Sequence, residues 1–548
     1  MSGERLFRIL GLVDDDLIVE AGASAPVRRR TPRRRVLAAA ACLAVACGAG
    51  FALRAGLGPM GGASGDGAAS GSGADSGIMA GSPSGDPGDA ATDNEPLSAA
   101  GTAFMSYAGP VFPLTTAEPD TGLTAERKTT WDFTAGTYQD GSPRQWGAAV
   151  TDGYTLTNPT DEDITVTALY PFAGSFSELA EQPTVTVDGQ EPETTLYAGA
   201  YAGGFQGVWQ SDGGNGYQLD DTTLNLAQPN SWTDYKTLLE SGAYLAQALG
   251  ETPPLDIPVT VYEFSGFQAP HEQYRAATQA IEFTIDQTAT TVLTYGFNGG
   301  SWDEETGWRQ YCYFVPDGIH SLSEKKLLAV LGEDIGHYTL QGYQDGGCRA
   351  GDEIDGVSCT VTRAETTLDA VLDELCRDYL DAASGAGRQP GMEEAEVETV
   401  PYPLFRRAAA ELLVQCGVLA GGGMKDRYSD GRLDDIVCET LIQERVLYLA
   451  AAVTVPAGES VDITFGFWKE PSFDYGCSDS ENKDLQGYDL VTALGSTLEF
   501  TAQTAALANT DGIELVRQNL GFDLENGVTE TALDPEQEHY YLEIRPLP

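Results

Sequence analysis

The 18 residues from Val36 to Leu53 carry no charge and follow directly on a block of arginines, Arg28, Arg29, Arg30, Arg33, Arg34 and Arg35. At about 1.5 Å of rise per residue a helix of that length spans about 27 Å, close to the hydrocarbon thickness of a bilayer. The run is long enough to cross a membrane once. Arginines before it and almost none directly after it predict a cytoplasmic N-terminus and an exported remainder, because clustered positive charge is retained inside.

Two other readings compete with an uncleaved span. One is a cleaved signal peptide with a small-residue site between Ala38 and Gly50, which requires an n-region of 35 residues. The other is a lipoprotein signal at Ala44-Val45-Ala46-Cys47, which lacks the usual leading Leu. The apolar run continues past Cys47 through Phe51 and Leu53, which favours the span.

Before the span, Leu6, Leu10, Val13 and Leu17 recur at helical spacing and form a stripe suited to docking a partner or lying at the inner membrane surface. After it, 54–103 is dominated by Gly, Ala, Ser and Asp, a composition that cannot bury enough apolar surface to fold and reads as a disordered stalk.

The chain has 31 Lys and Arg against 82 Asp and Glu. Residues 1–54 take nine arginines and five acids, which leaves 22 basic and 77 acidic residues beyond them, a net charge of −55. Such a field repels polyanions and predicts no nucleic-acid partner, while it attracts cations. Seven cysteines lie beyond the span, Cys312, Cys348, Cys359, Cys376, Cys416, Cys438 and Cys477; their number is odd and no Cys-x-x-Cys occurs.

Period-two alternation at 153–159, 163–170 and 183–189, then at 257–264, 280–285 and 291–295, predicts strands of half-buried antiparallel sheets. A helical pattern runs over 232–249, and two more helices are expected at 367–380 and 403–417. The stretches 446–455 and 460–468, joined by Pro456-Ala457-Gly458, read as a hairpin, with further strands at 496–501, 512–516 and 539–544. The expected fold is mainly β with α insertions: two β-sandwich-like domains at 104–316 and 317–548, the second with a helical insertion near 367–438.

No motif assigns a reaction. None of His271, His320, His337 and His539 sits in a close metal-ligand spacing, and each reads as a surface or turn residue. Ser323-Glu324-Lys325-Lys326 satisfies Ser-x-x-Lys without its companion motifs and reads as a chance match in a charged turn. Asp426 to Gly431 partly matches a calcium loop, but Tyr428 replaces an oxygen ligand and Val437 stands where the bidentate Glu belongs. Calcium is thus the one cofactor with any sequence signal.

The candidate ligand-binding cluster is Trp302, Asp303, Glu304, Glu305, Trp308 and Tyr311, with Tyr313 beside it. Exposed rings stack on sugar faces while carboxylates accept hydroxyl hydrogens, so a glycan suits it, as does a cationic peptide. Sheet-core aromatics beside a solvated acidic turn are the structural alternative. A hydrolase acting on glycans through paired carboxylates is a rival to simple binding.

The segment from Glu4 to Ile18, the arginine block, one span, a stalk and a large acidic ectodomain together resemble uncharacterised single-pass surface proteins of Gram-positive bacteria. The first 54 residues resemble the layout of membrane-bound anti-sigma factors, and that likeness implies a short segment gripping a sigma factor inside while an outer domain senses. The His-x3-Cys-x2-Cys zinc pattern of one anti-sigma class is missing, so no residue inherits that role. The passage Tyr154 to Asp161 through Tyr170-Pro171-Phe172 resembles β-rich domains of unknown function in such proteins. The expectation is a membrane-anchored extracytoplasmic binding or sensing protein.

Overall fold

The computed structural model describes residues 108–547 apart from 139–141, 145, 202–235, 237–238, 271–276, 304, 317–324, 386–399, 416–418, 420–430, 475–483 and 535. The expected cytoplasmic segment with Leu6, Leu10, Val13 and Leu17, the expected span at 36–53 and the expected stalk at 54–103 lie outside the described residues. Among the described residues no helix is long and apolar enough to cross a membrane.

The protein is mainly β. One sheet runs, edge to edge, Thr115–Thr116, Ile164–Gly174, Arg445–Val455 and Thr194–Tyr201. A second runs Glu530–Ala532, Glu499–Ala508, Thr124–Asp132, Ala148–Thr157, Ser460–Lys469 and Thr184–Val187. The two face each other across a core that includes Tyr154, Leu156, Tyr170, Leu449 and Phe465. A further sheet, Phe473–Asp474, Gln486–Val491, His539–Pro546 and Ile513–Gln518, packs on the other end of the six-stranded sheet around Trp131, Val150, Tyr488 and Leu542.

A second sandwich comes from the middle of the chain. Its inner sheet runs Ser358–Thr367, Pro258–Gln268, Lys326–Gly332 and Thr290–Tyr295, and its outer sheet Gly299–Asp303, Trp308–Phe314, Thr278–Thr284, Tyr338–Tyr343 and Glu353–Ile354. Phe264, Leu328 and Val330 of the inner sheet meet Ile281, Phe283 and Tyr313 of the outer one.

Among the described residues four α-helices accompany the sheets: α1 (Ala243–Leu249), α2 (Leu368–Gly385), α3 (Tyr402–Gln415) and α4 (Leu433–Ile442). Helix α2 buries Leu368, Val371, Leu372, Leu375 and Cys376, an unbroken helical stripe, and the Thr367 hydroxyl caps its start by accepting from the Ala370 N–H at 3.2 Å. In α3 Ala408, Ala409 and Ala410 are all fully buried, because this helix has apolar neighbours on more than one side. Helices α2 to α4 share one core with Leu293, Leu327 and Ala329 of the inner sheet and with Phe176, Ala198 and Leu447 of the first sandwich.

Two sequence expectations are corrected here. A division into 104–316 and 317–548 does not describe the pairing: Arg445–Val455 pairs with Ile164–Gly174, and Ser460–Lys469 with Ala148–Thr157. The first sandwich is therefore discontinuous, and 258–442 is inserted into it whole. The expected hairpin is an arch, because its two strands lie in opposite sheets. Strands 148–157 and 164–174 form a parallel case beside it. Asn158 ties the two arches: its side-chain amide donates to the carbonyls of Glu162 (2.8 Å) and Val455 (3.0 Å), and its oxygen accepts from the N–H and hydroxyl of Thr160.

At the middle of the six-stranded sheet, between its two cores, Arg127 and Asp152 form a fully buried ion pair. Asp152 accepts from Arg127 Nε (2.9 Å) and Nη2 (2.8 Å), Thr129 Oγ1 (2.7 Å), Tyr154 OH (2.6 Å) and Tyr170 OH (3.1 Å). Arg127 also donates to the carbonyls of Val491 (2.6 Å) and Phe112 (2.9 Å). Burial works against the guanidinium charge, but the facing carboxylate more than offsets it and holds Arg127 above the ordinary arginine value.

Candidate ligand-binding face

Register and the two-residue period of strands divide the expected aromatic and acidic cluster between two faces of the outer sheet. Asp303 lies opposite Trp308, Trp308 opposite Thr284, and Gln310 opposite Glu282, which in turn lies opposite Thr339. These positions face away from the core. Trp302 lies opposite Arg309, and Tyr311 opposite Ile281, on the core-facing side.

Tyr311 accordingly packs into the sandwich core, where its ring lies 5.9 Å from that of Phe283. Tyr313 is fully buried, and its hydroxyl donates to Gln279 at 2.6 Å. Trp302 lies past the cover of the core and stays 41% exposed. Asp303 Oδ1 accepts from the N–H groups of Glu305 (2.8 Å) and Thr306 (3.1 Å), so it closes its own turn. Glu305 is exposed in that turn, and Glu304 lies outside the described residues. Gly307 ends the turn at φ +72°; a Cβ there would meet the Ile285 carbonyl oxygen at 2.0 Å, so the close seating of the turn requires glycine.

Among the described residues of that cluster, Trp308 alone lines the open hollow of about 430 Å³ on this sheet, with Glu282, Phe283, Thr284, Ile335, His337 and Thr339. Glu282 is its carboxylate. It accepts from Gln310 Nε2 at 2.7 Å and from Tyr343 OH at 3.4 Å. Burial, then the charge of Glu282, pushes Tyr343 up to about 12, so its hydroxyl keeps its proton as a donor at neutral pH. A half-buried indole beside a carboxylate, an amide and hydroxyls offers one stacking plane and several hydrogen-bond partners.

Sequence reading missed Glu282, Thr284, His337 and Thr339. Glu282, Thr284 and Thr339 lie on strands of ordinary alternation and His337 in the bend just before Tyr338–Tyr343, and their convergence on Trp308 comes from register.

The other expected sites fare differently. Lys326 of the Ser-x-x-Lys match is not in a charged turn: it opens a strand and is 2% exposed. Residues 426–430 of the partial calcium loop lie outside the described residues, while Val437 is fully buried in α4. Among the described residues no group of His, Cys, Asp or Glu suits a metal ion. His539 is a buried strand residue, not a surface one, and its Nε2 lies 2.8 Å from Asp489 Oδ1. Cys312, Cys348, Cys359 and Cys376 are free thiols.

No protein-family model matches the chain, and no curated protein matches it.

Proposed function

We propose that this chain is a membrane-anchored extracytoplasmic binding or sensing protein whose ligand, a polyhydroxylated molecule such as a glycan, lies on the outer face of the second sandwich. The observation that carries the reading is the placing of Trp308 and Glu282 in one open hollow, with Thr284, His337 and Thr339 around them. An indole gives a sugar ring an apolar face to stack on, and the carboxylate accepts its hydroxyls. The hollow is open and shallow, which suits holding one stretch of a chain molecule. The anchor rests on the apolar run at 36–53 and the arginines before it, and the stalk on the composition of 54–103.

The test is a binding screen of the full-length chain against glycans and peptidoglycan fragments, with products followed by mass spectrometry. Trp308→Ala and Glu282→Gln are expected each to weaken a bound glycan at least tenfold, about 1.4 kcal/mol, and Trp302→Ala to leave it unchanged. Binding that survives Trp308→Ala overturns the site. Turnover lost on Glu282→Gln replaces binding with the hydrolase reading, with Glu282 and His337 as its acid–base groups.

A further inference from the structure

Two thiols meet on the same outward face. Cys312 lies opposite Ala280, and Cys348 stands in the 344–352 connection between Tyr338–Tyr343 and Glu353–Ile354. Ala280, Cys312 and Tyr343 form a small buried cluster, and the partly exposed Cys348 packs against it. Cys348 has φ 45°, a left-handed backbone uncommon for such a residue, and its thiol lies close enough to that of Cys312 for each to shift the other's hold on its proton. The cluster adjoins the hollow, because Tyr343 also donates to Glu282.

We infer that Cys312 and Cys348 are a disulfide-forming pair that pins the 344–352 connection to the Trp308–Phe314 strand. The oxidant is a small-molecule disulfide. Cys348, the accessible thiol, loses its proton, and its sulfur attacks the oxidant, breaking the oxidant's S–S bond and releasing one thiolate. Cys312 then loses its proton and attacks the Cys348 sulfur, displacing the second thiolate. Two protein thiols are oxidised to one S–S bond, the oxidant is reduced to two thiols, and the two protons pass to the released thiolates. The neighbouring Cys312 thiol, burial and the charges of Asp345 and Glu282 keep the Cys348 thiol protonated well above its ordinary range, while the Cys348 thiol lowers Cys312. Exchange therefore speeds up with rising pH. An exported location, as proposed above, is where such a bond persists.

Trypsin places the two cysteines in separate peptides, 310–325 and 327–349. The experiment treats the folded full-length chain with oxidised glutathione, alkylates the remaining thiols in denaturant, and maps the tryptic peptides by mass spectrometry. The expected result is a linked 310–325/327–349 species that separates on reduction, forms faster at pH 9 than at pH 7, and is lost in Cys348→Ser. Recovery of both peptides alkylated, each bearing glutathione, or linked to other cysteines would overturn the inference. The readout is independent of ligand binding, so failure of the glycan site leaves it intact.

Discussion

Removing one partner of the buried Arg127–Asp152 pair gives the sharpest test of how the first sandwich is held together. Asp152→Ala deletes the acceptor of five hydrogen bonds and leaves a guanidinium, 1% exposed, without its counter-charge. An uncompensated buried charge costs about 3–5 kcal/mol. Tyr154 and Tyr170 lose their acceptor as well, and an unmet buried hydroxyl costs about 1–3 kcal/mol. These costs overlap, because Arg127 keeps the carbonyls of Val491 and Phe112. The expected loss is therefore about 4 kcal/mol. Arg127→Met/Asp152→Ala removes the stranded charge and is expected to be less destabilised than Asp152→Ala alone. Urea denaturation of the wild type, both single variants and the double variant closes the cycle. A loss below about 1 kcal/mol in Asp152→Ala, or additive effects, would refute the picture of a dry, charge-paired centre between the two cores.

Three further outcomes are expected. Burial lowers Lys326 to about 8, with Asp434 partly offsetting it; between that value and the unfolded 10.5 the unfolded chain binds the extra proton, so the penalty is complete below about pH 8 and fades as pH rises to 10.5. Lys326→Met should thus stabilise the fold at pH 7 by up to about 3 kcal/mol, measured by urea midpoints, and by nothing above pH 10.5. Asn158→Ala frees the Val455 and Glu162 carbonyls at the paired arches and should cost about 2 kcal/mol by the same assay. Gly307→Ala drives a Cβ into the Ile285 carbonyl and should loosen the 303–307 turn, seen as faster amide exchange of Ile285, whose N–H donates to Gly307.

Much of the candidate face was legible in part. The two-residue period alone separates Asp303 from Trp302 and Trp308 from Tyr311, since neighbours along a strand point to opposite faces. Which face is the core is not written in that ribbon, where both sides carry aromatics. It is decided by the inner sheet, which covers Tyr311 and Tyr313 and leaves Trp308 facing outward. Glu282, Thr339 and His337 sit far from Trp308 in sequence, and only the pairing of Thr278–Thr284 with both Trp308–Phe314 and Tyr338–Tyr343 brings them beside it.

The sequence by itself determined the local states: the expected strands at 153–159, 163–170 and 460–468 follow alternation, 446–455 is a nearly continuous apolar run buried on both faces as far as Ala451, and α2 and α3 follow a 3.6-residue period. It also determined the strong negative charge and the apolar run at 36–53 on which the proposed anchor rests. Only the tertiary structure decided that 445–455 and 460–469 form an arch, since alternation reports which side chains point inward and is the same whether a strand pairs with its neighbour or crosses to the facing sheet. Only it decided that the chain returns to its first sandwich at Arg445 after the insertion of 258–442, because partner choice depends on long-range burial around Leu449, Val453 and Ile463, and local sequence carries no mark of it.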